Sequence, residues 1–186
     1  MRKITVIGGG VAGLQAATIT SKAGEDTLVL DSEESLVLNT SNVQNLIGHE
    51  SISGQEILDS GRDKINEFDA ELREEKVEEV ERTEDGFKVS TGEESYETEY
   101  LIVASAGILD YLENLDIEFE EGKEDPYLMD KHIKTDEDNK ASEGIYAAGL
   151  ARYWVHQVSF AIGDGTKAAV NLLSEEYGEP YQDHDM

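Results

Sequence analysis

The chain of 186 residues contains no cysteine, two prolines and no long apolar run. Within these residues, the missing cysteines exclude disulfides, iron–sulfur clusters, thiolate-ligated metals and a redox-active dithiol. No stretch approaches the roughly 18 apolar residues of a membrane span, and the N-terminus does not resemble a signal peptide. The four histidines are too far apart in sequence to predict a metal site. We therefore expect a cytoplasmic protein with no membrane partner and no bound metal.

Basic residues are also scarce. The chain contains 15 Lys and Arg and 42 Asp and Glu, which gives a formal net charge of −27. Such a charge disfavours nucleic-acid binding, which depends on Lys and Arg contacts to phosphates. The acids are spread along the whole chain, a pattern that suggests adaptation to a salt-rich cytosol, where ions screen self-repulsion. The alternative explanation of the acidic charge is a surface that binds a basic partner.

The first 31 residues predict a strand, a glycine turn, a helix and a second strand. Residues 3–7 form a short run of mostly β-branched side chains that ends at three consecutive glycines, residues 8–10. Residues 11–21 follow helical spacing, and residues 27–31 form another apolar run that ends in an acid. Together they predict a parallel βαβ unit.

The turn fits the pattern G-x-G-x-x-G with glycines at Gly8, Gly10 and Gly13. In this context Gly8 makes the tight turn, Gly10 lets the backbone approach a pyrophosphate, and Gly13 lets helix and strand pack closely. The N-terminus of the helix offers free amides and a positive dipole to the phosphates. Asp31 is placed to accept hydrogen bonds from an adenosine ribose and disfavours a 2′-phosphate. The turn therefore predicts a dinucleotide site.

Later segments add strands and two further helices. Residues 77–83, 87–91 and 95–98 predict a three-stranded antiparallel meander, and the apolar residues 100–103 predict a separate, buried parallel strand. Ser53 and Glu56 form a capping box that opens one helix, and residues 160–177 predict another that ends at Gly178. The fold class is therefore α/β, Rossmann-like, with a central parallel sheet and a β-meander. We expect one domain over residues 1–178 and a frayed tail over 179–186.

Several motifs together resemble one family, the FAD domain of thioredoxin-reductase-like pyridine nucleotide–disulfide oxidoreductases. Besides the first glycine turn, they are VQNLIGH at 43–49, ISGQEIL at 52–58, LIVASAG at 101–107, GIYAAG at 144–149, HQ at 156–157 and AIGDGTKAA at 161–169. The resemblance extends from residue 3 to about residue 177. In combination these motifs indicate FAD, whereas the first alone would fit NAD equally well.

For the ADP half of FAD, the resemblance implies five positions. Gly8, Gly10 and Gly13 would hold the pyrophosphate, Asp31 would bind the adenosine ribose, and the strand that carries Val77 would meet the adenine.

For the flavin half, the resemblance implies four further positions. Asn45 would face the flavin, and Gly149 belongs to the second glycine motif. Gln157 and Val158 would bring backbone amides of the last helix to the isoalloxazine ring, where the helix end suits the negative charge of a reduced flavin. No catalytic residue follows from the sequence, because in flavoproteins the cofactor performs much of the chemistry.

Three departures separate this chain from the family. Only 37 residues lie between Gly107 and Ile145, where the family inserts its NAD(P)H domain, and a domain of that kind needs on the order of 100 residues. No cysteine can relay electrons to a disulfide, so the chain is not a thioredoxin reductase. The Asp of the family's Ala-Gly-Asp motif, which holds the ribityl chain, is replaced by Leu150. Losing one charge-assisted hydrogen bond weakens binding by about 1.5–3 kcal/mol.

These features favour a single-domain FAD flavoprotein of oxidoreductase descent that exchanges electrons or hydride with an unidentified redox partner or small molecule. Self-association as a homodimer would cover surface left by the missing domain. The alternatives are a non-catalytic nucleotide-binding or regulatory module, favoured by Leu150, and a NAD-binding Rossmann domain, disfavoured by the late glycine-containing helix.

Other side chains near the predicted flavin each have two interpretations. His156 can stabilise flavin charge or be a solvent-facing residue at a helix start. Tyr153 and Trp154 can cover the flavin or pack at a dimer or domain contact. Arg152 can bind a phosphate or a partner.

Overall fold

The first three elements of the computed structural model form the predicted βαβ unit. Strand β1 (Arg2–Ile7) is followed by helix α1 (Val11–Lys22) and strand β2 (Thr27–Leu30), and the two strands pair in parallel from Ile4 opposite Thr27 to Ile7 opposite Leu30. The structure describes residues 1–107, 109–122 and 130–183. Strand and helix begin and end within one residue of the predicted positions.

The described residues contain eight further strands and two longer helices. The strands are β3 (Glu71–Arg73), β4 (Val77–Arg82), β5 (Phe87–Thr91), β6 (Ser95–Val103), β7 (Phe119–Glu121), β8 (Lys131–Ile133), β9 (Lys140–Ser142) and β10 (Ile145–Ala147), and the helices are α2 (Gly54–Glu67) and α3 (Val158–Tyr177). The main sheet has the order β3-β2-β1-β6-β10-β9, and β4 and β5 extend it from β6. Strands β3, β2, β1, β6 and β10 are mutually parallel, so the α/β class with a central parallel sheet is confirmed.

The meander and the buried central strand are joined differently from the prediction. The sequence analysis placed a third meander strand at residues 95–98 and a separate strand at 100–103, but β6 runs through both without a break. Its first half pairs antiparallel with β5, and its second half pairs in parallel with β1 and β10. No turn residue interrupts the segment between Thr98 and Tyr100, so the strand continues. The meander is therefore a direct extension of the parallel sheet.

The sheet has a separate hydrophobic cluster on each face, because side chains alternate along the strands. Ile4, Ile102 and Tyr146 join the cluster made with α1, α2 and α3. Leu101 and Ile145 point to the opposite face, under the meander. Helices, sheet and meander therefore form three layers.

Helices α1 and α3 approach each other closely. A Cβ added at Gly165 would lie 2.2 Å from the carbonyl oxygen of Ala12, so only glycine allows this contact. The predicted capping box of α2 is present, since Ser53 and Glu56 bond to each other's backbone amides, and Gly178 ends α3 with φ 70°.

The segment between β6 and β10 contains a short antiparallel pair, β7 with β8, in addition to β9. The sequence analysis did not predict these strands or β3. Beyond α3, Tyr181 packs against the helix-side cluster and donates its amide hydrogen to Ser174 Oγ. Residues 184–186 lie outside the described residues. In the part of the chain that the structure describes, no helix has the length and apolar character needed to cross a bilayer.

Candidate functional site

A cavity lies where the parallel strands β1, β2, β6 and β10 reach their carboxyl ends. Its volume is about 210 Å³, and it opens to solvent at its mouth. In open α/β sheets this edge is the usual place for a ligand. Its lining comes from five segments of the chain: residues 8–12, 31–40, 104–106, 149–150 and 155–161.

The glycine turn after β1 forms one wall of the cavity. Gly8 has φ 108°, and a Cβ there would lie 2.8 Å from the amide nitrogen of Ser105. At Gly13 a Cβ would lie 1.8 Å from the carbonyl oxygen of Gly8, which confirms close packing of helix on strand. Gly10 is the N-cap of α1 and no side chain caps this helix end. The first-turn amides are therefore available to an anion.

Asp31 lies at the end of β2 beside this turn and is 3% exposed. Its Oδ1 accepts hydrogen bonds from the amides of Gly9 at 3.3 Å and Glu33 at 3.0 Å. Its Oδ2 accepts from Arg62 Nη2 at 3.2 Å. A Cβ at Gly9 would lie 2.4 Å from the Asp31 carboxyl carbon, so Gly9 leaves room for the carboxylate.

The opposite end of the cavity is formed by the start of α3. Gln157 is the N-cap of α3 without a side-chain cap, and its Oε1 accepts a hydrogen bond from Asn45 Nδ2 at 2.7 Å. Gln157, Val158 and His156 line the cavity. Asn45 is not part of the lining, but its bond to Gln157 joins the loop after β2 to the amino end of α3.

Leu150 lines the cavity where the family has an aspartate, and a different acid organises the turn around it. Asp164 on α3 is 6% exposed and accepts from the Gly149 amide at 2.7 Å, from Arg152 Nη1 at 2.8 Å and from Asn139 Nδ2 at 2.9 Å. Arg152 therefore forms an ion pair with Asp164 inside the protein. The sequence analysis named Arg152 only as a candidate for a phosphate or partner contact, and it missed Asp164.

The structure brings most of the nine predicted cofactor positions together. Six of them line the cavity, namely Gly8, Gly10, Asp31, Gly149, Gln157 and Val158. Asn45 is bonded to the lining through Gln157, and Gly13 packs behind it. Val77 starts β4 within the meander-side cluster, is 8% exposed and lies outside the lining.

Three contributors were missed by the sequence analysis: Gly9, Arg62 and Asp164. The sequence contained a signal for Gly9, since the motif needs glycine at positions 8 and 10 but not at the position between them. Asp164 had one too, because it shares a helical face with the buried Ala168 and Leu172. Arg62 had none, because it lies 31 positions from Asp31 on another element.

Near the flavin end, aromatic side chains cluster outside the lining. The Tyr153 ring lies 5.9 Å from that of Trp154 and 5.6 Å from that of Phe160, and Tyr153 and Trp154 are each 38% exposed.

At the end of β6, Ser105 lines the cavity and shares a 2.6 Å hydrogen bond with the Tyr111 hydroxyl. Burial raises the pKa of Tyr111, so its hydroxyl stays neutral.

The chemistry of the lining fits a dinucleotide with an aromatic ring system. One end offers uncapped helix amides beside a carboxylate, which suits a diphosphate and a ribose. The other end offers Leu150, Val155 and Val158, apolar groups that suit a flat ring, beside the uncapped amides of α3. FAD has these parts in this order.

A family model, pyridine nucleotide–disulphide oxidoreductase, matches residues 2–127. The thioredoxin reductase of Listeria monocytogenes is 31% identical over 104 residues, which are 55% of this chain and 33% of that protein. The thioredoxin reductase of Bacillus subtilis matches to the same extent. A solved thioredoxin reductase structure from Gloeobacter violaceus superposes with a TM-score of 0.83 at 15% identity, covering 100% of this chain and 98% of that chain.

The chain belongs to the pyridine nucleotide–disulphide oxidoreductase family, since the family model covers more than half of it. The fold is the Rossmann-like, FAD-binding fold of that family, and FAD is the cofactor that goes with it. The chain matches about a third of the length of the curated relatives.

Proposed function

We propose that this chain is a flavin domain that holds FAD in the cavity and exchanges electrons or hydride with a separate redox partner or small molecule. The observation that carries the proposal is the convergence of two uncapped helix N-termini, those of α1 and α3, on one cavity that also contains a buried carboxylate. Both helix ends favour negative charge, the first on a pyrophosphate and the second on a reduced flavin.

The ADP half would lie along the first glycine turn. Gly10 leaves space above the turn, since a Cβ there would meet only Ser35 Oγ, at 3.3 Å. Gly8 and Gly13 set the turn and the helix packing that aim the amides of α1 at the pyrophosphate. Asp31 has an acceptor position left on Oδ2 for a ribose hydroxyl. Val77 would contribute through its backbone at the start of β4.

The flavin half would lie against residues 149–158. The Gly149 amide is held by Asp164, so this turn has a fixed shape before a cofactor arrives. Gln157 and Val158 present the amino end of α3 to the ring, and Asn45 fixes the Gln157 side chain. Leu150 offers the ribityl chain an aliphatic surface in place of a carboxylate, which predicts weaker binding than in the family.

Bound FAD would supply the capacity to accept and release electrons or hydride. Since the chain has no cysteine, the electrons do not pass through a dithiol within these residues. The segment between β6 and β10 holds the β7–β8 pair and β9 rather than a second βαβ domain in its described residues. We therefore propose that the electron donor lies outside these residues, as a separate chain, a diffusible reductant or a bound small molecule. We place residues 1–178 in this single flavin domain and residues 179–186 in its tail.

The proposal includes a cellular setting. The high acidic charge supports a cytoplasm rich in salt and argues against nucleic-acid and membrane partners. The exposed Tyr153 and Trp154 support self-association as a homodimer. Light scattering at high salt tests the dimer.

A second candidate is a non-catalytic nucleotide-binding or regulatory module. It is favoured by Leu150, which removes the family's ribityl contact. The two candidates are distinguished by whether the purified protein carries or takes up FAD.

The visible spectrum of the protein purified at high salt and incubated with FAD tests this, and an anaerobic experiment with the FAD-loaded protein then tests the electron donor. Dithionite should bleach the flavin and an artificial acceptor should restore its absorbance, whereas NADH and NADPH should bleach it only slowly because the segment between Gly107 and Ile145 is too short for a nicotinamide domain. A protein that is colourless as purified and gains no flavin absorbance on incubation with FAD would rule out the flavin domain and favour the non-catalytic module. Rapid bleaching by NADH or NADPH would contradict the proposed need for a separate donor.

A further inference from the structure

Arg62 on α2 reaches across to the adenosine end of the cavity. Its Nη2 lies 3.2 Å from Asp31 Oδ2, and the side chains of Arg62 and Asp31 are 30% and 5% exposed. Arg62 Nε is buried and has no hydrogen-bond partner among the described residues. The pair therefore joins α2 to the buried carboxylate at the end of β2, beside the glycine turn.

The charge around the cavity makes this contact important. The lining residues that the structure describes include two acids, Asp31 and Glu34, and no Lys or Arg. FAD brings two further negative charges on its pyrophosphate, into a protein with a net charge of −27. Each of these acids is paired with a cation: Lys76 lies 3.7 Å from Glu34 on the exposed surface, and Arg62 contacts the buried Asp31. Arg62 therefore offsets negative charge where screening by water is reduced.

The geometry of Asp31 also depends on Arg62. Oδ1 already accepts two backbone hydrogen bonds, from Gly9 and Glu33, so Oδ2 is the oxygen with capacity for a ribose hydroxyl. Arg62 occupies one acceptor position of Oδ2 and leaves the other. The guanidinium thus fixes the orientation of the oxygen that would meet the ribose.

We infer that Arg62 is a positioning residue for the adenosine end of FAD: it orients Asp31 and lowers the negative potential where the ADP moiety binds. The inference rests on the proposed binding of FAD in this cavity. It assigns a specific role to a residue outside the glycine motif. It also explains how a strongly acidic chain keeps an acid at the ribose position and still accepts an anionic cofactor.

The test measures the affinity of the full chain for FAD and for ADP by titration calorimetry at high salt. Arg62→Met keeps the aliphatic stem and removes the guanidinium, and Arg62→Lys keeps the charge. Arg73→Met is the matched control, because Arg73 pairs with Glu71 outside the cavity and its loss changes the net charge equally. We expect Arg62→Met to weaken FAD binding about tenfold and ADP binding by the same factor. Arg62→Lys should lose less FAD affinity than Arg62→Met, and the FAD affinity of Arg73→Met should stay within about twofold of the wild-type value.

A second readout separates positioning from general damage. At saturating FAD, the visible spectrum of the bound flavin should be the same in Arg62→Met and wild type, because the change lies at the adenosine end. Equal FAD affinity in wild type and Arg62→Met would overturn this inference but not the proposed function. An equal loss of affinity in Arg73→Met, or an altered flavin spectrum in Arg62→Met, would do the same. If Arg62→Met does not fold, Arg62→Gln, which also removes the charge, takes its place, and wild-type FAD affinity in that variant overturns the inference. Failure of the wild type to bind FAD would instead overturn the proposed function.

Discussion

The carboxylate of Asp164 accepts a hydrogen bond from the backbone amide of Gly149 at 2.7 Å, and so ties helix α3 to the turn that follows β10. The same carboxylate pairs with Arg152 at 2.8 Å, and the two side chains are 5% and 18% exposed. One buried acid therefore fixes the turn at the flavin end of the cavity.

Asp164→Asn should destabilise the fold by about 3 kcal/mol, because it leaves the mostly buried Arg152 without a counter-charge. Urea unfolding measures this free energy. Asp63→Asn, an exposed acid on α2, is the control and should change stability by no more than about 0.5 kcal/mol. The double variant Asp164→Asn with Arg152→Met should recover part of the loss. Equal stability of the Asp164 and Asp63 variants would show that the ion pair does not stabilise the turn.

The glycines of the first turn should divide into two classes. Gly13→Ala should lower stability by about 3 kcal/mol, because its Cβ would lie 1.8 Å from the Gly8 carbonyl oxygen. Gly10→Ala should cost no more than about 1 kcal/mol, because its Cβ would meet only Ser35 Oγ. FAD titration of the folded Gly10→Ala protein should nevertheless show weakened binding, since we propose that the pyrophosphate lies there. Wild-type affinity in Gly10→Ala would place the pyrophosphate elsewhere.

Salt should stabilise the protein. At a net charge of −27, self-repulsion opposes the compact state, and molar KCl reduces the Debye length to about 3 Å. The temperature of thermal unfolding should therefore rise by several degrees between millimolar and molar KCl, and FAD should bind more tightly in the same range. An unfolding temperature that does not change with KCl would refute adaptation to salt.

Stability should also depend on acid through Glu176. Hydrogen bonds from the Lys3 ammonium and the Tyr100 hydroxyl lower the pKa of Glu176 below 4.5. Burial, with the contact to Glu176, raises the pKa of Tyr100 to about 12, so the phenol remains a donor. The pKa of Glu176 is lower in the folded than in the unfolded protein. Its contribution to the free energy of unfolding is therefore present above about pH 4.5 and is lost as the pH falls through the folded pKa.

The measurement is the free energy of unfolding of wild type and Glu176→Gln at neutral pH and at about pH 3.5, in high salt. Wild type should be more stable at neutral pH by about 1 kcal/mol, and the difference should shrink in acid. Glu97→Gln, at an exposed position of β6, should show little difference at either pH. If the stability difference between wild type and Glu176→Gln persists or grows in acid, the predicted direction of the pH dependence is wrong.

Local patterns allowed the prediction of most elements that frame the site. The strand–glycine–helix unit, the capping box at Ser53 and the cap at Gly178 are each determined within a few residues, so the sequence alone located them. The glycine turn and Asp31 were predicted to lie together, and they do. These features depend on backbone conformation and on the order of strands in a βαβ unit.

Contacts that join distant segments were not predictable in the same way. The continuity of β6 depends on partners on both sides, β5 for one half and β1 with β10 for the other. The Arg62–Asp31 and Arg152–Asp164 pairs join different elements and have no characteristic spacing. In a chain with 42 acids, the sequence does not show which acid is buried with which arginine.

The account depends most directly on FAD binding in the cavity between the two helix N-termini. Titration of the purified, flavin-free protein with FAD in molar KCl, followed by flavin fluorescence, measures this. The account predicts saturable binding of one FAD per chain that Gly10→Ala weakens. No saturable binding by the wild-type chain, or binding that Gly10→Ala leaves unchanged, would contradict it.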